Sequence, residues 1–222
     1  NSPRDQLLLV CTAQQRKQID QFHAQSNIFP DMYLAQGWRG HDVLNILQML
    51  GFMIKVHANY VRKYRSIRKA YRSSDAKHRT ISTAIVHGDT LTTVVGVYFG
   101  LFLGLRVTHI EAGLRSGHVF HPFPEEIDRR IVSKFARIHF APNKDAIANL
   151  RSENTKGEIV NTKYNTSKDA IEIASTMKSE LVRSLSLPKN YGLISIHRTE
   201  LQKKKKELEE FLRIISKHIS SN

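Results

Sequence analysis

Several residues of this chain have the types and spacing for proton and phosphate chemistry. The run Ile81–Val86 is followed by His87-Gly88-Asp89-Thr90, and Arg106–Ile110 by Glu111-Ala112-Gly113-Leu114-Arg115. Pro122-Phe123-Pro124-Glu125-Glu126 leads into Arg129, and Tyr191–Ile196 is followed by His197-Arg198-Thr199-Glu200. Opposed carboxylates such as Asp89, Glu111 and Glu125 can take a proton from one face of a carbon and return it to the other. A His-Arg pair such as His197 and Arg198 can hold a departing phosphate and its growing charge. The combination suggests chemistry on a sugar nucleotide rather than hydride transfer. The chain has no G-x-G-x-x-G and no G-x-x-x-x-G-K-[ST], which weakens dinucleotide and ATP readings.

Each motif also has a purely structural reading. Asp89 or Thr90 could cap a helix. Glu111 could form an ion pair with His109 or Arg115. Glu125 with Arg129, and Glu126 with Arg130, are i,i+4 pairs that would support a capped helix. His197-Arg198 could be a solvated loop. His118 and His121 read as loop histidines rather than metal ligands, so no metal site is expected.

The elements around these residues decide where they meet. Leu7–Thr12 reads as a buried strand and Gln15–Gln25 as a helix. A long helical stretch runs from Asp42 to Tyr71, with Leu44, Leu47, Leu50 and Ile54 on one side and Gly51 as a candidate break. Ile81–Val86 and Arg106–Ile110 are strands on either side of a helix over Leu91–Leu103. Pro124 suits a first helical position, and Glu125 and Glu126 suit the positive end of a helix reaching Phe135. Strands at Ile138–Ala141, Glu158–Val160 and Tyr191–Ile196 alternate with helices at Lys144–Arg151, Ser167–Leu185 and Leu201–Ile219. This alternation predicts an α/β fold with a parallel sheet and helices on both faces. Ligands of such sheets bind at the carboxyl ends of the strands, where the motifs lie. Leu187-Pro188-Lys189-Asn190 is a candidate linker, dividing a domain over 1–186 from the start of a second over 187–222.

Composition narrows the classes. The chain has 222 residues, 41% of them apolar, so it can form a core, and its 11 Gly and 6 Pro exclude collagen-like repeats. No apolar run reaches the roughly 18 residues of a membrane span, and the first residues, Asn-Ser-Pro-Arg-Asp, do not read as a secretory signal. One cysteine, Cys11, excludes an internal disulfide framework or a zinc–thiolate cluster, and a cytoplasmic location fits. Lys and Arg total 34 against 20 Asp and Glu, a net charge of +14. Such a chain attracts polyanions, and residues 62–79 are especially basic. That run lacks interleaved aromatics beyond Tyr64 and Tyr71 and carries no nucleic-acid motif, which argues against nucleic acid as the partner. Lys203–Lys206 followed by Glu207, Glu209 and Glu210 reads as a charge-paired, solvated helix face.

The four motifs, in this order and spacing, resemble the non-hydrolysing UDP-N-acetylglucosamine 2-epimerases, and the resemblance runs from about Leu7 to the C-terminus. It implies a Rossmann-like half of a two-domain fold of the GT-B type, with the active site in the cleft between domains. It implies interconversion of UDP-GlcNAc and UDP-ManNAc at C2 by elimination of UDP to a glucal and re-addition, with no metal or nicotinamide cofactor. Carried over residue by residue, Asp89, Glu111 and Glu125 are the acid/base candidates and His197 the contact to the nucleotide phosphates. Arg115, Arg129 and Arg198 would orient carboxylates or diphosphate. A UDP-sugar substrate and a homodimer follow from the same resemblance.

The family's first strand and its Gly-Thr-Arg-Pro-Glu loop have no match, nor do its later uridine-binding segments. Both ends are therefore expected to lie inside a longer fold, with turnover impaired in this chain alone. Two other readings compete. One is a hydrolysing epimerase or a GT-B-like glycosyltransferase. The other is a non-catalytic module that binds polyanions through residues 62–79.

Overall fold

The structure is a computed structural model that describes residues 7–12, 16–26, 28–34, 46–73, 83–176, 191 and 205–219. The chain divides into two compact units, residues 1–171 and 172–222. The first unit holds strands β1 (Val10–Cys11), β2 (Met32–Tyr33), β3 (Thr83–His87), β4 (Arg106–Ile110), β5 (Ile138–Ala141) and β6 (Glu158–Asn161). Its helices are α1 (Arg16–Ser26), α2 (Ile46–Ser73), α3 (Leu91–Phe102), α4 (Glu125–Phe135) and α5 (Lys144–Ser152). Helix α6 (Thr166–Thr176) passes from the first unit into the second, which also holds α7 (Lys205–Ile219). The expected strand at 191–196 falls outside the described residues except for Tyr191.

All strand pairs are parallel. β1 pairs with β2, and the larger sheet has the order β3-β4-β5-β6. Strands that follow one another in one direction, joined by crossovers of one hand, carry their helices on one face. The contacts agree: Ala84, Val86, Val107, Ala141 and Ile159 share a face by register and alternation, and they pack against α3, α4 and α5. Ile85, one residue out of phase, is 56% exposed.

Helix α3 is covered on two sides. Val95 and Phe99 join Phe52, Val56, Tyr60 and Ile67 of α2, and the Tyr60 ring stacks on Phe99 at 3.9 Å. Gly96 and Gly100, one turn apart, press on the sheet. A Cβ at Gly96 would lie 2.6 Å from Val86 Cγ1, and one at Gly100 would lie 2.6 Å from Ala84 Cβ. This close approach, together with Val94, Val95 and Val97 in the packed layer, overrides the weak helix propensity of the β-branched residues. The same reasoning settles Gly51. Helix α2 runs through it without a break, and Phe52, Val56 and Tyr60, at four-residue spacing directly after it, are buried and anchor that stretch in the core.

Two histidines lie in the centre of the sheet. His109 and His139 are register partners on β4 and β5, and both are fully buried. His109 Nε2–H donates to the Gly88 carbonyl at 2.8 Å, and His139 Nε2–H donates to the Lys156 carbonyl at 3.1 Å. Each Nδ1 is buried without a hydrogen-bond partner, so each ring is the neutral Nε2–H tautomer. Burial pushes the His109 pKa down to about 4 and lowers that of His139. A histidine that is harder to protonate when folded than when unfolded adds stability above the unfolded pKa of 6.5, and that stability is lost as pH falls toward the folded value. Chemical unfolding is therefore expected to become easier between pH 6.5 and pH 4, and His109→Asn to flatten that acid limb. An unchanged limb in the variant would contradict the assignment.

Candidate functional site

The His87-Gly88-Asp89-Thr90 turn leaves β3 and enters α3. Gly88 has φ +74°, its N–H bonds the Ile110 carbonyl at 3.1 Å, and its own carbonyl is held by His109. The turn is thus tied to the end of β4 by two bonds. Thr90 is the N-cap of α3 without a side-chain capping bond, and Asp89 does not serve as the cap. Asp89 Oδ2 instead accepts from Arg129 Nε at 2.9 Å and Nη2 at 2.5 Å. Arg129 therefore departs from the expected i,i+4 pairing with Glu125 and reaches across to the preceding strand end.

Glu111 is the first residue beyond β4 and adopts φ +66°, a conformation uncommon for residues other than glycine. The turn is fixed by the Ala112 N–H on the Phe140 carbonyl at 2.9 Å, and by Gly113, φ +84°, whose missing Cβ makes room for the Ala146 carbonyl. The expected partners of Glu111, His109 and Arg115, are committed elsewhere. Its carboxylate meets Asn165 through a side-chain hydrogen bond and His87 Nε2 at 3.7 Å. His87 Nε2 also lies 3.0 Å from Thr166 Oγ1. A cavity of about 160 Å³ opens here, lined in part by Glu111, Tyr164, Asn165 and Lys168. Lys168 Nζ sits 3.8 Å from the Tyr164 ring centroid, a cation–π contact at the rim.

Helix α4 supplies the third carboxylate. Pro124 is its N-cap rather than its first helical residue, and Glu125, Glu126 and Asp128 lie in its first turn. They differ sharply in surroundings. Glu126 is fully buried and accepts from the Ser116 N–H at 3.1 Å, Arg130 Nε at 3.2 Å and Arg129 Nη1 at 3.4 Å. Arg115 Nε is 3.9 Å from it, while Arg115 also bonds Glu153 with Nε at 2.8 Å and Nη2 at 2.6 Å. Arg130 Nη1 reaches Glu153 as well, at 3.1 Å, and the arginines hold the Glu153 carboxyl below its ordinary pKa. Arg115 is 6% exposed and locked in this network, so its place is beneath the site. One Glu125 oxygen, Oε2, is buried without a partner, and so is Asp128 Oδ2.

Asp89, Arg129 and the first turn of α4 are therefore linked directly, and Glu111 stands at the neighbouring strand end with its own partners. His197 and Arg198 lie outside the described residues. Among the described residues no group of His, Cys, Asp and Glu could hold a metal ion. No helix among them is long and apolar enough to cross a membrane. Residue types alone did not single out Asp128, Glu153 or Asn165 as parts of this edge; His87 and Glu126 stood in the quoted motifs, and the expected Glu126–Arg130 pair is present. The available signals were a glutamate and an aspartate in one helical turn, and an Asn-Thr step closing the turn after β6.

Comparison with known proteins bears on the family and the fold. The family model for UDP-N-acetylglucosamine 2-epimerase matches residues 71–221. A UDP-N-acetylglucosamine 2-epimerase from Bacillus subtilis (strain 168) is 32% identical over 163 residues, covering 73% of this chain and 38% of the relative. One from Salmonella typhimurium (strain LT2) is 30% identical over 202 residues, covering 86% of this chain and 49% of the relative. Among solved structures, the Neisseria meningitidis UDP-GlcNAc 2-epimerase bound to UDP-GlcNAc superposes with TM-score 0.58 at 26% identity, covering 78% of this chain and 42% of that one. The Methanocaldococcus jannaschii UDP-GlcNAc 2-epimerase gives TM-score 0.62 at 25% identity, covering 92% and 53%. The chain thus spans about half the length of these relatives or less. Its parallel α/β architecture is the Rossmann-like half of their GT-B-type fold. With a matching family model over most of its length and the motifs at its strand ends, the chain belongs to the UDP-N-acetylglucosamine 2-epimerase family.

Proposed function

We propose that this chain forms part of an enzyme that interconverts UDP-GlcNAc and UDP-ManNAc without hydrolysing either. The observation that supports the reading is the placement of Asp89 and Glu111 just beyond the adjacent parallel strands β3 and β4, with Asp89 tied through Arg129 to α4, whose first turn carries Glu125. The relative from Neisseria meningitidis was solved with UDP-GlcNAc bound, which supports a UDP-sugar as substrate.

The chemistry needs such carboxylates. The C2 proton of the sugar is not next to a carbonyl, so direct deprotonation is slow. Breaking the C1–O bond while C2 loses its proton releases UDP and leaves a C1=C2 double bond, flat at C2. UDP then re-adds at C1 as a proton returns to the opposite face of C2. Carboxylates on two sides of the ring provide for removal and return. Asp89 is oriented by Arg129, and Glu111 by Asn165 and His87. His197 and Arg198 are proposed to hold the diphosphate as its charge grows, and no metal or nicotinamide is invoked. A homodimer in the cytoplasm completes the proposal.

Product analysis tests the reading and its nearest rival. The chain is assayed alone and joined to the remaining segments of the Bacillus subtilis relative, with UDP-GlcNAc as substrate. Intact UDP-ManNAc is the expected product. Free ManNAc with UDP would mean hydrolysis and overturn the non-hydrolysing assignment.

A further inference from the structure

Asp128 has no place in the account so far, yet it is the most anomalous carboxyl of the described residues. It is 5% exposed, and its Oδ2 is buried without a hydrogen-bond partner. One helical turn earlier, Glu125 Oε2 is buried and equally without a partner. Residues three apart share a helix face, so the two orphaned oxygens sit on one side of the first turn of α4. Two ionised carboxylates cannot satisfy each other, because neither has a donor. One carboxylic acid beside one carboxylate can.

Among the described residues no cation is seen paired with Asp128. Arg129, the neighbouring cation, bonds to Asp89 and Glu126. Helix α3, which packs against α4, has no charged residue along Leu91–Phe102. From β4 the titratable groups are Arg106, which is exposed, and His109, which burial keeps neutral. The remaining charges that act on Asp128 are the carboxylates of Glu125 and Asp89, and both are of like sign.

We propose that Asp128 is a positioning residue of the acid–base site, a carboxyl that keeps its proton below neutrality and lends its O–H to Glu125. This rests on the reading that Glu125 belongs to the acid–base machinery. Burial first, then Glu125, then Asp89, raise the Asp128 pKa from 3.8 to about 7. The donated hydrogen bond would fix the direction of the Glu125 carboxylate and leave its other oxygen for substrate. Above neutrality the proton leaves, and Glu125 then faces a second negative charge in the same buried turn.

The test is a carboxyl 13C NMR titration of the whole chain, with resonances assigned through the backbone. The expected result is one aspartate, Asp128, with its midpoint near pH 7. In Glu125→Gln that midpoint moves downward, because a like charge has been removed. In Asp128→Asn the titration disappears and the other carboxyls keep theirs. An Asp128 midpoint in the ordinary aspartate range, or a high midpoint that Glu125→Gln leaves unmoved, overturns the proposal. The second outcome would mean burial without pairing. Glu125→Gln decides the pairing even if Asp128→Asn does not fold. None of these readouts requires turnover, so a failed product assay and a failed titration are separate results.

Discussion

Asp89→Asn, Glu111→Gln and Glu125→Gln are each expected to slow epimerisation by about 10²–10⁴-fold, the usual worth of a positioned acid or base. The measurement is the initial rate of UDP-ManNAc formation in the completed chain. Each replacement keeps shape and removes a group that can carry the proton. Structure separates this from unfolding. Glu111→Gln retains an acceptor for Asn165, and Glu125→Gln retains an acceptor oxygen for the O–H that Asp128 is proposed to lend. Asp89→Asn loses the charge opposite Arg129, but Arg129 keeps Glu126. Circular dichroism and thermal melts should therefore remain close to wild type while the rate falls. Wild-type rates in all three variants would remove the acid–base assignment.

Glu126→Ala should produce the largest loss of stability. Its carboxylate is fully buried among Arg115, Arg129 and Arg130 and the Ser116 N–H. Deleting one partner of a buried ionic network leaves uncompensated charge, at a cost of about 3–5 kcal/mol. Glu126→Gln preserves an acceptor and should cost less, about 1–3 kcal/mol. An internal control lies on α7, where exposed Lys205 sits 3.9 Å from Glu209. Lys205→Ala should change stability by less than about 0.5 kcal/mol. Urea unfolding midpoints rank the variants, and equal midpoints for Glu126→Ala and Lys205→Ala would contradict the network's structural role. The network also explains why Arg115, next to a candidate catalytic motif, acts from below: it joins the loop after β4 to Glu126 on α4 and to Glu153 at the end of α5.

The sequence carried the strand ends and their acids clearly, because each β-to-α step was marked by a short apolar run followed by Gly, Pro or a charged residue. β3, β4 and β5 and helices α3, α4 and α5 lie within a residue or two of their expected limits. What pattern could not carry was long-range partner choice. Arg129 chooses Asp89, forty residues away in the chain, over Glu125 at i−4, because folding brings the β3 turn against α4. His109, expected to pair with Glu111, instead donates to the Gly88 carbonyl. β2 is only two residues long and gives no period, yet it pairs with β1. Gly51 suggested a helix break that core packing on α2 overrides. Asp128 carries no signal in the residue pattern, and only its burial marks it out.

The central claim is that these carboxylates move the C2 proton of a UDP-sugar. Proton NMR of the completed chain with UDP-GlcNAc in D2O tests it most directly. The account predicts deuterium at C2 in both UDP-GlcNAc and newly formed UDP-ManNAc, with incorporation lost in Glu111→Gln and Glu125→Gln. Epimer that retains its original C2 hydrogen, or UDP-GlcNAc that binds and never exchanges, would contradict it.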